Sequence, residues 1–207
     1  MKETKPNILK AALQLFNQNG FSSVRLQHIA DEANVSIGNL AYHFATKKDL
    51  LANIYQDLVL KQVELINELN IVPLFENLDR HWDNVFQIQY EYAFFYQDTL
   101  EILRYSNEIF LKCQEHTKWE KDQLFRILQF NISRGALIPL EDDVISQVAD
   151  LTWLIENSWS QRMTMAENSS LSSEKFKILM WQLILPYLSD IGKQEYDQLI
   201  KWKAIPL

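Results

Sequence analysis

Apolar residues recur along this chain three and four positions apart, and no stretch keeps a strict apolar–polar alternation. That period is helical. Ile8, Leu9, Ala12, Leu13 and Phe16 mark one apolar face of a first helix that opens near Pro6 and stops at Gly20. Leu26, Ile29, Ala30 and Ala33 predict a second helix over 25–33. Ile37, Leu40, Ala41 and Phe44 predict a third over 37–44, with Ser36 as its N-cap. A fourth opens at Lys47 or Lys48 and runs to about Asn70. After Pro73 the segment 74–96 becomes dense in aromatic side chains. Helices are expected over 98–104, 107–134, from the acids at 141–143 to about Glu167, over 174–191, and over 194–203, with a loop at Asn168–Ser173.

The punctuation supports long helices. The chain has only four glycines and five prolines in 207 residues, well below ordinary usage. Gly20, Gly135 and Gly192 each stand where the pattern predicts a helix to stop. Gly38 does not. It lies one turn into the third helix, where glycine costs about 1 kcal/mol relative to alanine, and so asks for another reason.

Composition narrows the class. The chain is 47% hydrophobic and 23% charged. A packed core is therefore expected. One cysteine, Cys113, makes no internal disulfide and reads as a small core residue. The N-terminal segment MKETKPNILKAALQLF carries charge throughout, unlike a signal peptide. The most apolar run, 178–188, holds Gln182 and Pro186 and is too short to span a bilayer. A cytoplasmic protein without membrane contact is expected. The net charge of −7 is uneven: residues 1–50 carry six Lys/Arg against four Asp/Glu, which hints at an anionic partner for that segment. His28, His81 and His116 have no ligand spacing, so no metal or cofactor is expected. No nucleophile–base set or phosphate loop stands out, and the chain does not read as an enzyme.

Two short helices joined at Asn34–Ser36 and braced by a first one describe a helix-turn-helix. Asn34 suits a left-handed turn residue. Small Ala30 lets the helices cross closely, with Val35 and Leu40 between them. The third helix would lie in a DNA major groove, and Gly38 would let its backbone approach phosphate or base without a clash. A glycine merely tolerated near a helix start is the plainer alternative.

These residues resemble the DNA-binding domain of the TetR family of transcriptional regulators. ILKAALQLFNQNGF (8–21) and IADEANVSIGNLAYHFATKKDLL (29–51) carry the resemblance. Val35, Ser36, Gly38, Leu40, His43, Phe44 and Lys47 fall on the family's turn and recognition-helix pattern. Three positions depart from it: Asn34 replaces the usual Gly, Ala41 the usual Tyr, and Val24–Arg25 the usual Thr-Thr. The resemblance implies an all-α fold, with a helix-turn-helix three-helix domain over residues 1–50 and a larger helical ligand-binding and dimerisation domain over 51–207. It implies a repressor, bound as a homodimer to near-palindromic double-stranded operator DNA and released by a small apolar or aromatic effector. Ile37, Asn39 and Gln27 are candidates for base edges. Tyr42, His43, Lys47, Lys48, Arg25, Ser36 and the backbone at Gly38 are candidates for phosphate contact or close approach.

All six tryptophans lie after residue 80. Most of them must be core, but apolar clefts between helices also hold small molecules. Trp82, Phe86, Tyr90, Phe94, Phe110, Phe125 and Trp153 are candidate pocket walls. Helix 174–191 is apolar nearly all round and should be covered on both sides. With the helix before it, Val148, Leu151, Ile155, Trp159, Met180, Leu183, Ile184 and Tyr187 are candidates for a dimer interface. The rival reading is a helical small-molecule-binding protein that has lost specific DNA recognition, suggested by Ala41 and the missing Thr-Thr.

Overall fold

The computed structural model describes residues 4–165 and 172–203, and every regular element among them is helical. The elements are α1 (Thr4–Asn19), α2 (Leu26–Glu32), α3 (Ile37–His43), α4 (Lys47–Ile71), α5 (Phe75–Glu91), α6 (Ala93–Gln97), α7 (Thr99–Tyr105), α8 (Asn107–Ser133), α9 (Asp142–Met165), α10 (Ser173–Ile184) and α11 (Asp190–Lys203). The all-α expectation holds. Among the described residues no helix is long and apolar enough to cross a membrane. The expected helix end at Glu167 and most of the loop after it lie outside the described residues.

The chain forms two compact units. One takes residues 1–61 and 88–114, the other 62–87 and 115–207. In unit 1, α1, α2 and α3 close over Ile8, Phe16, Ile29, Ala30 and Leu40, all essentially inaccessible. The same core takes in Phe94 and Ile102 from α6 and α7. Asn17 ties α1 in place: its amide donates to the Glu91 carbonyl at 2.8 Å and accepts from the Phe94 amide at 3.0 Å. Asp98 accepts from the Phe21 amide at 2.7 Å. Helix α6, which the sequence pattern did not separate from its aromatic surroundings, is therefore part of the platform under the helix-turn-helix.

In unit 2, Phe75, Trp82, Phe176, Met180 and Trp181 anchor the core. One expected boundary is corrected here. The pattern predicted a single helix over 174–191 ended by Gly192. Instead α10 ends at Ile184, a 3-10 turn covers Leu185–Tyr187, and α11 starts at Asp190. Pro186 is the cause, since its ring excludes the helical bond and crowds the preceding turn. Gly192 then sits in the first turn of α11, its amide donating to the Ser189 hydroxyl at 3.1 Å. A Cβ there would stand 2.0 Å from the Ala136 carbonyl oxygen. Close packing, not helix termination, requires that glycine. Gly20 and Gly135 do end helices, at φ +77° and +78°. Within the single chain, Ile178 on α10 is 56% exposed.

Candidate nucleic-acid interface

The helix-turn-helix is set by local chemistry. Helix α2 ends at Glu32. Asn34 then takes a φ of 54°. That is the left-handed turn conformation, which asparagine tolerates. The Val35 amide reaches back to the Ala30 carbonyl at 2.9 Å. Ser36 caps α3, its hydroxyl accepting from the Asn39 amide at 3.1 Å, as a serine N-cap does. Thr46 and Asp49 cap α4 reciprocally. The Thr46 amide donates to Asp49 Oδ2 at 2.8 Å. The Asp49 amide donates to Thr46 Oγ1 at 3.2 Å. Leu40 and Phe44 point inward from α3 and its C-cap and are fully buried.

That leaves the opposite face of α3 open. Ser36, Ile37, Gly38, Asn39 and Tyr42 are exposed, Tyr42 to 76%. His43 is half-buried, its ring edge-on to Tyr42 at 5.2 Å. Gly38 is instructive beside Gly192. A Cβ at Gly38 meets nothing closer than the Ser36 hydroxyl at 4.0 Å, so packing within the chain does not ask for glycine there.

Other candidates are partly engaged within the chain. Gln27 donates to Asp31 at 2.8 Å, one turn along α2. Arg25 caps α2 through its backbone, donating to His28 Nδ1 at 3.3 Å, while its side chain stays exposed. Lys47 is half-buried. Its ammonium donates to the Phe21 carbonyl and lies 4.1 Å from the Phe21 ring centroid. Burial holds its pKa below the usual lysine value, with Glu101 pulling the other way. Lys48 is exposed, its ammonium 5.5 Å from the Tyr105 ring centroid.

The aromatic candidates do not gather in one place. Tyr90, Phe94 and Phe110 belong to unit 1, where Phe94 is core, Tyr90 is 68% exposed and Phe110 is 37% exposed. Trp82, Phe86, Phe125 and Trp153 belong to unit 2 and line or flank its core. Of the dimer candidates, Val148, Trp159, Met180 and Ile184 are buried in their own core, Leu151 is 48% exposed, and Ile155, Leu183 and Tyr187 are half-buried.

Sequence reasoning passed over a polar seam inside unit 2. Glu120 and Glu156 are both buried. Glu156 accepts from Trp82 Nε1 at 3.1 Å, and Glu120 accepts from Trp153 Nε1 at 3.0 Å. His116 lies 3.4 Å from Glu120 and 3.0 Å from the Gln62 side-chain oxygen. The signal was periodicity: Glu156 stands in register with Ile145, Val148, Ala149, Thr152 and Trp159, all buried on α9. An acid in an apolar register is the informative exception.

Comparison with known proteins agrees with this geometry. A family model described as "Bacterial regulatory proteins, tetR family" matches residues 8–54, and one described as "Bacterial transcriptional repressor" (TetR) matches 54–196. The chain is 44% identical over 55 residues to the HTH-type transcriptional regulator AcrR of Shigella flexneri, covering 27% of this chain and 26% of that one. It is 35% identical over 54 residues to the probable HTH-type regulator YttP of Bacillus subtilis, covering 26% of each. The match thus spans about a quarter of these curated relatives. A TetR-family regulator from Marinobacter aquaeolei VT8 has the same fold, with TM-score 0.82 and 24% identity, covering 96% of this chain and 98% of that one. The chain belongs to the TetR family: it is a helix-turn-helix, DNA-binding transcriptional regulator.

Proposed function

We propose that the protein is a repressor that binds a near-palindromic operator as a homodimer and leaves it when a small apolar or aromatic molecule binds. The observation that carries this reading is the exposed, capped face of α3. Ile37 and Asn39 meet base edges, an apolar side chain against a thymine methyl and an amide against adenine. Arg25, Ser36, Tyr42, His43 and Lys48 contact phosphates, and Gly38 permits the approach. Lys47 acts mainly as a clamp between α4 and the turn after α1, and Gln27 reaches a base only by leaving Asp31.

Functionally the chain divides into a reading domain over 1–50 and a ligand-binding and dimerisation domain over 51–207, working in the cytoplasm. Leu151 and Leu154 on α9 and Ile178 on α10 are large exposed apolar side chains. With Ile155, Leu183 and Tyr187 they supply the surface for a second copy. A two-fold pair of recognition helices then reads half-sites about 34–36 Å apart, or a multiple of that. A ligand that favours another arrangement of the helices weakens operator binding, about 5–150-fold for a coupling of about 1–3 kcal/mol.

The test is selection of genomic fragments by the purified protein, then footprinting, with Gly38→Gln as control. A protected near-palindrome is expected. Gly38→Gln should keep the fold and lose operator affinity by about tenfold or more. Absence of any sequence preference across several salt concentrations would replace this reading by that of a helical ligand-binding protein without DNA recognition.

A further inference from the structure

An open groove of about 450 Å³ runs between α1 and α4, wholly within unit 1. That volume is in the range of small-molecule sites, about 300–1,000 Å³. Helix α1 presents Lys5, Leu9 and Leu13 to it at four-residue spacing, which is one helix face. The core face of the same helix carries Ile8, Ala12 and Phe16. Helix α4 presents Asp57 and Leu60, and Glu91 and Tyr92 also line the groove. Leu9 and Leu13 are only half-buried, and Leu60 is 51% exposed. The groove therefore has an apolar wall that unit 1 leaves uncovered.

Its charges are sorted. The acids are already engaged within the chain. The Tyr92 hydroxyl donates to Asp57 at 2.5 Å. The Lys61 ammonium lies 2.6 Å from Glu91 and 3.9 Å from Asp57. The lysines of α1 are not engaged in this way. Lys5 and Lys10 both line the groove, both are exposed, and neither forms an ion pair among the described residues. The Lys5 ammonium stands 5.5 Å from the Phe44 ring centroid. Long lysine stems extend an apolar wall while keeping the charge at its rim. A cationic ligand would have to displace Lys61 or Tyr92 from the acids, whereas an anion finds two free ammonium groups. Contact with DNA phosphate accounts for two lysines, but not for the apolar wall beside them.

We propose that this groove binds a small amphipathic carboxylate, with its apolar chain along Leu9, Leu13 and Leu60 and its head group at Lys5 and Lys10. The proposal concerns unit 1 alone and stands whether or not unit 2 takes an effector. An occupant adds contacts between α1 and α4, the helices that precede and follow the reading pair α2 and α3 in the chain.

The test is calorimetric titration of the full-length protein with octanoate, octanol and octyltrimethylammonium, each below its micellar concentration. Octanoate should bind about fivefold tighter than octanol, an effect of the size expected for exposed ion pairs. Lys10→Glu should remove that advantage and turn the preference towards the ammonium. Leu60→Gln should weaken octanoate about fivefold through lost apolar contact. Both positions are exposed, so the fold persists. Equal binding of octanoate and octanol to the wild-type protein overturns the proposal, as does a preference for the ammonium or an absence of binding. Octanoate binding that ignores both substitutions places the carboxylate elsewhere and overturns it as well.

Discussion

Unit 1 closes on Phe16, Phe21, Ile29, Leu40, Phe44, Leu51 and Phe94, and among its described residues only Gln89 and Ser106 are buried polar side chains. Unit 2 encloses Asp79, His81, Glu120, Asn131, Thr152, Glu156 and Ser160 among its tryptophans. The first interior holds the recognition helix by apolar packing. The second keeps ionisable groups where burial penalises their charge. A core that only had to be stable would replace them with apolar side chains of similar volume at little loss or some gain. The contrast is between an apolar interior and one that holds ionisable groups.

That contrast can be broken experimentally. The largest effect is expected at Asp79, which is 4% exposed and accepts from Trp181 Nε1 at 2.9 Å. Lys177 reaches both Asp79 at 3.3 Å and Asp83 at 2.5 Å. Asp79→Ala strands the Trp181 donor and half of the lysine's pairing, so urea unfolding should show a loss of about 3–5 kcal/mol. Next comes Gly192→Ala. Its methyl meets a backbone carbonyl that has no rotamer to retreat into, and a loss of about 1–3 kcal/mol is expected by the same measurement. The equivalent change at Gly38 meets no packing and should raise stability by up to about 1 kcal/mol while operator affinity falls.

A smaller effect is a slope. Glu156 keeps its proton in the folded chain up to about 8, whereas an unfolded glutamate loses it near 4.5. Between those values the folded state binds more protons, so stability falls as pH rises, by at most about 1.4 kcal/mol per pH unit. His81 works in the opposite sense. Its folded value of about 4 lies below the ordinary 6.5, so its contribution is lost as pH falls through that window. Above pH 6.5 only the Glu156 slope remains, and Glu156→Gln should flatten thermal stability from there to pH 8. A slope that survives the substitution would place the proton elsewhere. The smallest effect is expected in unit 1: Ser36→Ala removes the α3 cap and should cost about 1 kcal/mol, with operator binding weakened further as the helix start frays.

The legible part of the sequence was local. The left-handed turn at Asn34, the cap at Ser36 and the buried Leu40 and Phe44 follow from residues within one or two turns of each other. Gly192 was misread because its constraint is Ala136, far away in the chain. Lys47 stands as a candidate phosphate contact on its sequence position, and nothing near it in sequence announced its contacts with the Phe21 carbonyl and ring. The scattered histidines read as unrelated for the same reason, although His81 and His116 enter one seam.

The sequence by itself determined the helical period, the caps and the turn of the reading head, because backbone propensity and capping act between neighbours. It also carried the family through a motif of fixed spacing. Only the tertiary structure decided which aromatic residues share a core, which glycine is packed and which is free, and that two glutamates, two histidines and two tryptophans meet inside unit 2. Those outcomes depend on burial and on contacts between distant segments. Desolvation, which sets the charge states of Glu156 and His81, acts only once the chain has closed around them.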